Sequence, residues 1–225
     1  LYSLKPILVH ARADFMLLSF DQIINVAAKW QYMFGGNAGN AAIVIRAVIG
    51  KGWGQGATHS QSFHTILGHI PGLRILMPSN PNDAKGMLIS AINCPDPVII
   101  FEHRSLFDMV GEVEEDYIQV EIDKARIVRN GDSLTIVATS ISVLEALSAA
   151  DMLASIGVEI EVIDMRVISP IDEETILKSI RKTRRLLVLD NSWSRFGLGS
   201  EVISLVSEKS FDTLISPPRK LSLAD

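Results

Sequence analysis

One cysteine, Cys94, is present in 225 residues. That excludes an internal disulfide and a multi-cysteine metal site, and it fits a reducing compartment. Aromatics are scarce at 6%, so Trp53, Trp193 and Phe196 stand out. Their identity alone leaves open whether they anchor a partner or fill a core. No apolar run approaches the roughly 18 residues of a membrane span, because Lys29, Arg46 and Lys51 interrupt the first half. A net charge of −5 argues against nucleic acid as the principal partner. No G-x-x-x-x-G-K-[ST] segment occurs, and no glutamate precedes Glu102.

The residues present describe a globular chain on the apolar side. Hydrophobic residues make up 48% against 21% charged, more apolar surface than a lone monomer needs, so association is expected. The length suits two domains of about 100 residues each. Charge divides unevenly. Residues 1–100 carry seven basic against four acidic side chains, and the remainder fourteen against twenty-two. A mildly positive first half suits anionic small molecules.

Apolar periodicity predicts alternating strands and helices. Pro6–His10 reads as a buried strand. Ser19 with Gln22 reads as a capping box opening a helix through Ile23, Ile24, Ala27 and Tyr32, which Gly35-Gly36 ends. Strands are expected at Ala42–Val48, Arg74–Met77 and Pro97–Phe101. Between the last two, Asn80-Pro81-Asn82-Asp83 opens a helix running to about Asn93. The acidic stretch Gly111–Asp116 reads as a solvated linker. Beyond it come a strand at Leu134–Ala138, a helix at Ser142–Ser155 stopped by Gly157, a strand at Val158–Ile163, a helix at Glu173–Thr183 capped by Asp172, a strand at Leu186–Asp190 and a last helix from Gly197. The expected class is α/β with two domains, residues 1–110 and 123–225 joined by a 111–122 linker, each a mostly parallel sheet with helices on both faces.

The glycine-rich loop Gly50-Lys51-Gly52-Trp53-Gly54-Gln55-Gly56 comes after a strand and satisfies a relaxed G-x-G-x-x-A. A dinucleotide site also wants a carboxylate about twenty residues on, and none lies between Asp21 and Asp83. The loop is therefore either a mobile turn or a mount for the adjoining segment Thr58-His59-Ser60-Gln61, which presents an imidazole among hydrogen-bonding neighbours. His64 and His69 come next at intervals that share no carboxylate, which argues against a metal site. The basic run from Lys178 to Arg185 suits a solvated helix C-terminus.

Several longer strings carry a family resemblance. Phe20-Asp21-Gln22-Ile23-Ile24-Asn25, Tyr32-Met33-Phe34-Gly35-Gly36, Thr58-His59-Ser60-Gln61, Gly68-His69-Ile70-Pro71-Gly72-Leu73, Asp83-Ala84-Lys85-Gly86, Arg166–Asp172 and Trp193–Gly199, in this order, resemble the β subunits of pyruvate and branched-chain 2-oxo acid dehydrogenases, the E1 components. The resemblance implies a transketolase-like pyrimidine-binding domain followed by a transketolase C-terminal domain, in an α2β2 assembly with an E1 α subunit. It implies thiamine diphosphate as cofactor, with Mg2+ held mainly by the α subunit, and transfer of the acyl group from a 2-oxo acid substrate to a lipoyl-bearing E2. By position, Phe15 matches the aromatic that stacks on the aminopyrimidine and His59 the active-site histidine. Ile43, Ala91 and Asp96 match a potassium site whose usual carboxylate is replaced here by Cys94.

In that family a glutamate upstream of Lys5 hydrogen-bonds the pyrimidine ring. The first 100 residues hold none, so the reading expects both ends of the chain to be truncations and an upstream strand and helix to lie outside it. The rivals are an acetoin dehydrogenase β subunit and a non-catalytic interaction subunit. A cytoplasmic location is expected, or the mitochondrial matrix in a eukaryote, with no membrane association.

Overall fold

A computed structural model describes residues 4–50 and 52–223. Lys51 of the glycine loop and the extreme residues Leu1 and Asp225 lie outside the described residues. The strands are β1 (Ile7–His10), β2 (Val44–Ile49), β3 (Arg74–Leu76), β4 (Val98–His103), β5 (Arg126–Arg129), β6 (Leu134–Ala138), β7 (Ile160–Asp164), β8 (Val167–Ser169), β9 (Leu186–Trp193) and β10 (Arg219–Leu223). The helices are α1 (Trp30–Met33), α2 (His64–Gly68), α3 (Pro81–Asn93), α4 (Ile141–Ala154), α5 (Glu173–Thr183) and α6 (Leu198–Ser210). The chain divides into two units. One comprises residues up to Ile122 together with Val167–Pro170, and the other Asp123–Arg166 with the remainder from Ile171.

The first unit carries a sheet in the order β1-β2-β4-β3-β8, parallel throughout except for the antiparallel edge strand β8. Val44, Ile45, Ala47 and Ile49 of β2 and Val98 to Phe101 of β4 are all buried. Such nearly continuous apolar runs, interrupted in β2 only by Arg46, are what strands covered on both faces require. Helix α3 packs Met87 and Ala91 against Val44, Leu76, Val98 and Ile100, with the Cys94 thiol buried in the same cluster. Its start is as expected. The Asn80 side chain accepts from the Asp83 N–H at 2.9 Å, Pro81 occupies the first turn, and the Asp83 carboxylate accepts from Asn80 Nδ2 at 2.7 Å.

Two local expectations fail, each for a physical reason: the strand expected to be buried at Pro6–His10 is an exposed edge, since among the described residues β1 pairs with β2 alone and Ile7, Leu8 and Val9 stay open, and the expected helix cap does not form. The first helical run begins well before Ser19, as a 3-10 turn over Ala13–Ser19 that passes into a wide π-type turn over Gln22–Ala27. Ser19 Oγ donates to the Met16 carbonyl inside this run, so no capping box forms. The acidic stretch read as a solvated linker is exposed, and it lies along α3 and groups with the first unit. Lys85 Nζ donates to the main-chain carbonyls of Glu114, Glu115 and Asp116, and Ser90 Oγ donates to the Val120 carbonyl and accepts from its N–H. A Cβ on Gly86 would lie 2.4 Å from Val120 Cγ2, so that helix position needs glycine for the strap to approach. Composition registers exposed carboxylates. It does not register the backbone carbonyls beneath them.

The second unit repeats the plan with the order β10-β9-β6-β7-β5, parallel except for edge strand β5. Val143, Ala146 and Ala150 of α4 pack on Ile136, Ala138, Ile160 and Val162. Within the core, Glu161 is fully buried, and its carboxylate accepts from Ser179 Oγ and from Lys182, whose stem reaches it from α5. Both sheets thus agree with the expected class of mostly parallel α/β. Strands β5 and β8 had no expected counterpart.

Asp172 holds α5 in place. It accepts from the Thr175 N–H at 3.2 Å, from Thr175 Oγ1 at 2.7 Å and from the Ala125 N–H at 3.1 Å, with Lys124 3.6 Å away. Burial opposes its ionisation, but these hydrogen bonds and the Lys124 ammonium prevail, so its pKa lies below the ordinary 3.8. A depressed carboxylate pKa contributes stability that is fully present above the ordinary value and is lost as pH falls through the folded one. Asp172→Ala should therefore cost about 2 kcal/mol at pH 7 in chemical denaturation. The loss should shrink below pH 4; a penalty constant down to pH 2 would contradict the role given to the charge.

Candidate functional site

In open α/β sheets, ligands sit beyond the carboxyl ends of the parallel strands. In the first unit β1, β2 and β4 end at His10, Ile49 and His103, and the chain segments leaving them meet. Gly50 comes directly after β2 with φ +117°, and a Cβ there would lie 2.9 Å from the buried His103 ring. Glycine at position 50 is required on both counts. The loop then turns through Gly56, φ +74°, into a 3-10 turn over Ala57–His59. Ser60 Oγ donates to the Gly56 carbonyl at 2.8 Å, closing it.

His59 and Phe15 come together here. Their ring centroids are 5.1 Å apart and tilted by 56°. Phe15 keeps 51% of its surface exposed, an aromatic face open to a planar ligand. His59 Nδ1 faces the Thr58 carbonyl, which leaves Nε2 as the nitrogen available to a ligand. The two segments are tied by one side-chain bond, Gln61 Nε2 donating to Asp14 Oδ1 at 2.7 Å.

Sequence reasoning passed over several polar residues at this end of the sheet. His10 Nε2, Arg12 Nη1 and Asp14 Oδ2 are buried without a hydrogen-bond partner among the described residues. Burial also pulls the His10 pKa below 6.5, so its ring is neutral at pH 7. The Arg12 guanidinium lies over the Trp53 ring, 5.7 Å from its centroid. The available signal was spacing: His10, Arg12 and Asp14 alternate with apolar or small residues where β1 leaves the sheet.

His64 and His69 do not join this site. His64 is buried, its Nδ1 2.7 Å from Ser62 Oγ, and His69 is exposed. No group of three or more His, Cys, Asp or Glu among the described residues could hold a metal. Of the residues expected from the resemblance to hold potassium, Ile43 O accepts from Val98 N, Ala91 O accepts from Cys94 N, and the Asp96 carboxylate accepts from Arg74 Nε at 3.0 Å. The two carbonyls each retain a lone pair. The Cys94 thiol is buried among apolar side chains and offers nothing to a hard cation. A concavity of about 380 Å³ in the same unit is lined by residues including Arg46, Asn80, Glu102 and Phe107. Its two charges are spent on each other, in a bidentate pair at 2.9 Å.

Two family models match the chain: transketolase, pyrimidine binding domain, over residues 1–109, and transketolase, C-terminal domain, over residues 123–225. A curated relative, acetoin:2,6-dichlorophenolindophenol oxidoreductase subunit beta of Bacillus subtilis, is 42% identical over 97% of this chain and 64% of its own length. Pyruvate dehydrogenase E1 component subunit beta of Rickettsia bellii is 37% identical, with coverage of 99% and 68%. The mitochondrial subunit beta-2 of Oryza sativa is 39% identical, with 99% and 60%. A solved structure described as a split gene transketolase, inactive beta4 tetramer, superposes with a TM-score of 0.77 at 25% identity, covering 98% of this chain and 65% of that one. The chain thus spans about three fifths to two thirds of the length of each of these four proteins. No helix among the described residues is long and apolar enough to cross a membrane.

Gln61→Leu should expose how this site is held. The change leaves Asp14 buried with neither oxygen paired, and should cost about 2 kcal/mol of unfolding free energy. Asp14→Leu in the same background should recover much of that loss, since removing both polar partners is nearly neutral. A double variant no more stable than Gln61→Leu would refute the linkage.

Proposed function

Because the chain belongs to the family of pyruvate dehydrogenase E1 and acetoin dehydrogenase β subunits, built on transketolase-type pyrimidine-binding and C-terminal domains, we propose that it is the β subunit of a thiamine-diphosphate-dependent 2-oxo acid dehydrogenase E1. It would act with an E1 α subunit in an α2β2 assembly and pass the acyl group to a lipoyl-bearing E2. The domains would be residues 1–110 and 123–225. One observation carries the reading: an exposed aromatic, Phe15, stands beside an imidazole, His59, where the parallel strands end.

The pocket suits the cofactor's aminopyrimidine. Phe15 offers a face for stacking, and the buried Asp14 Oδ2, without a partner among the described residues, offers an acceptor to the ring amino group. Thiamine diphosphate, when bound, supplies the carbon nucleophile and electron sink that decarboxylation of a 2-oxo acid needs, with Mg2+ held mainly by the α subunit. His59 does this chain's own part. With Nδ1 occupied by the Thr58 carbonyl, Nε2 can hydrogen-bond the substrate or, protonated, deliver a proton to the dithiolane sulfur as the acyl group transfers. Potassium, if part of the enzyme, would be held by the carbonyls of Ile43 and Ala91 beside Asp96. The solved neighbour's description as inactive supports a β chain that acquires activity only with its α partner. The lone buried cysteine suits the cytoplasm, or the mitochondrial matrix in a eukaryote.

A second reading, an acetoin dehydrogenase β subunit, is favoured by the 42% identity to relatives of that name.

His59→Ala in the assembled enzyme should lower acyl transfer to lipoyl-E2 by about 100-fold or more, with the dissociation constant for thiamine diphosphate moving less than about threefold. Phe15→Ala should do the reverse, weakening cofactor binding about tenfold through loss of the stacking face. Unchanged transfer in the first variant would sink the assignment of His59. Unchanged cofactor affinity in the second would sink that of Phe15.

A further inference from the structure

We infer that Arg12 is a specificity-determining residue of this site: its guanidinium, laid over Trp53, takes up the carboxylate of the substrate, so the preferred substrate is a 2-oxo acid anion rather than a neutral hydroxyketone such as acetoin. The inference rests on the proposed function of the pocket and chooses between its two substrate classes.

The argument begins with an imbalance. Arg12 Nη1 is buried and has no hydrogen-bond partner among the described residues. Its guanidinium lies 5.7 Å from the Trp53 ring centroid. The nearest carboxylate in sequence, Asp14, accepts from Gln61 Nε2 at Oδ1 and leaves Oδ2 unpartnered rather than turning to Arg12. A permanently charged group with a desolvated donor is costly unless an acceptor arrives. The flat fork of a guanidinium matches the two oxygens of a carboxylate, and an aromatic beneath it holds the fork in plane.

Position supplies the rest. Arg12 leaves β1 at its carboxyl end, and its own carbonyl accepts from the Phe15 N–H at 3.2 Å. The guanidinium and the aromatic proposed to stack on the cofactor therefore spring from one turn. Trp53 lies on the glycine loop that delivers His59. Nearby in sequence, His10 Nε2 is a second buried nitrogen without a partner, able to meet the same anion. A ligand held between Phe15 and His59 thus has a wall on the β1 side whose positive charge is that of Arg12 alone. Acetoin carries no charge for that wall to meet; every 2-oxo acid does. Because the carboxylate is already charged in the ground state, the contact acts on substrate binding and should be read in KM more than in kcat.

The test uses full-length β chain assembled with its α subunit. Values of kcat/KM are measured for acetoin and for two acids, pyruvate and 3-methyl-2-oxobutanoate, the better acid being used. The wild type should prefer the acid. Arg12→Met should lower the acid-to-acetoin ratio at least tenfold, chiefly through the KM of the acid, and Arg12→Lys should recover part of it. Should Arg12→Met fail to fold, inhibition of the wild type decides: oxamate, an inert carboxylate, should inhibit at least tenfold more tightly than uncharged oxamide. A ratio within twofold of wild type, a wild type that prefers acetoin, or equal inhibition by the two amides would overturn the inference while leaving the family reading in place. A wild-type assembly that turns over neither substrate class would instead overturn the proposed function itself.

Discussion

The parallel pairing of β2 with β4, in register from Val44 opposite Val98 to Ile49 opposite His103, is the constraint on which the site depends. Parallel strands leave the sheet at the same edge, so the chain after Ile49 and the chain after His103 compete for one volume. Glycine at position 50 resolves that competition, since a Cβ would strike the His103 ring. Once the chain is free to turn there, it can travel out over the edge and return at Ala57–His59. β1, parallel to β2 on the other side, adds its own exit at the same place, bringing Arg12, Asp14 and Phe15 to the loop. A histidine that sequence places far from the aromatic ends beside it because three strands share a direction.

The loop itself has little to hold it. Its glycines carry no side chains to bury, and most of its residues are exposed. Two cross-links from the turn after β1 do the holding: Asp14 to Gln61 beyond the histidine, and Arg12 over Trp53 before it. The imidazole is thus fastened at both flanks to the element that bears the aromatic. A proton-transferring group must stay accessible, so its anchors are set on its neighbours.

Much of the fold was legible because local chemistry and tertiary context agreed. Asn80 and Asp172 cap α3 and α5 at the expected residues, since a short polar side chain before an apolar period has few other uses. Helix α4 fell within one residue of expectation at each end. Legibility failed where tertiary packing overruled local signals. Ser19 has the neighbours of a cap but lies inside a run whose start is set by the burial of Ala13 and Met16. Strands β5 and β8 are short edge strands that take their form from the partners β7 and β3 and show no apolar alternation of their own. At the site, Phe15 and His59 were named from motif resemblance, and the structure brings them together. Arg12 and His10 carry only the faint signal of alternation, because an unpaired buried atom is a property of the fold and not of the string.

Buried charge is handled differently at two places in the chain. In the second unit Glu161, fully buried, is satisfied from within: Ser179 and Lys182 both donate to it, and Thr135 and Thr183 extend the network through Ser179 at 2.6 Å contacts. Such a network is complete without a ligand, and its effect is to fix how α5 seats on the sheet. In the first unit the polar groups after β1 are left incomplete: a guanidinium nitrogen, an imidazole nitrogen and a carboxylate oxygen, each buried and each without a partner among the described residues. The Glu161 network closes on itself, whereas the groups after β1 do not. They stand at the carboxyl ends of parallel strands, beside an exposed aromatic, where an incoming ligand can complete them.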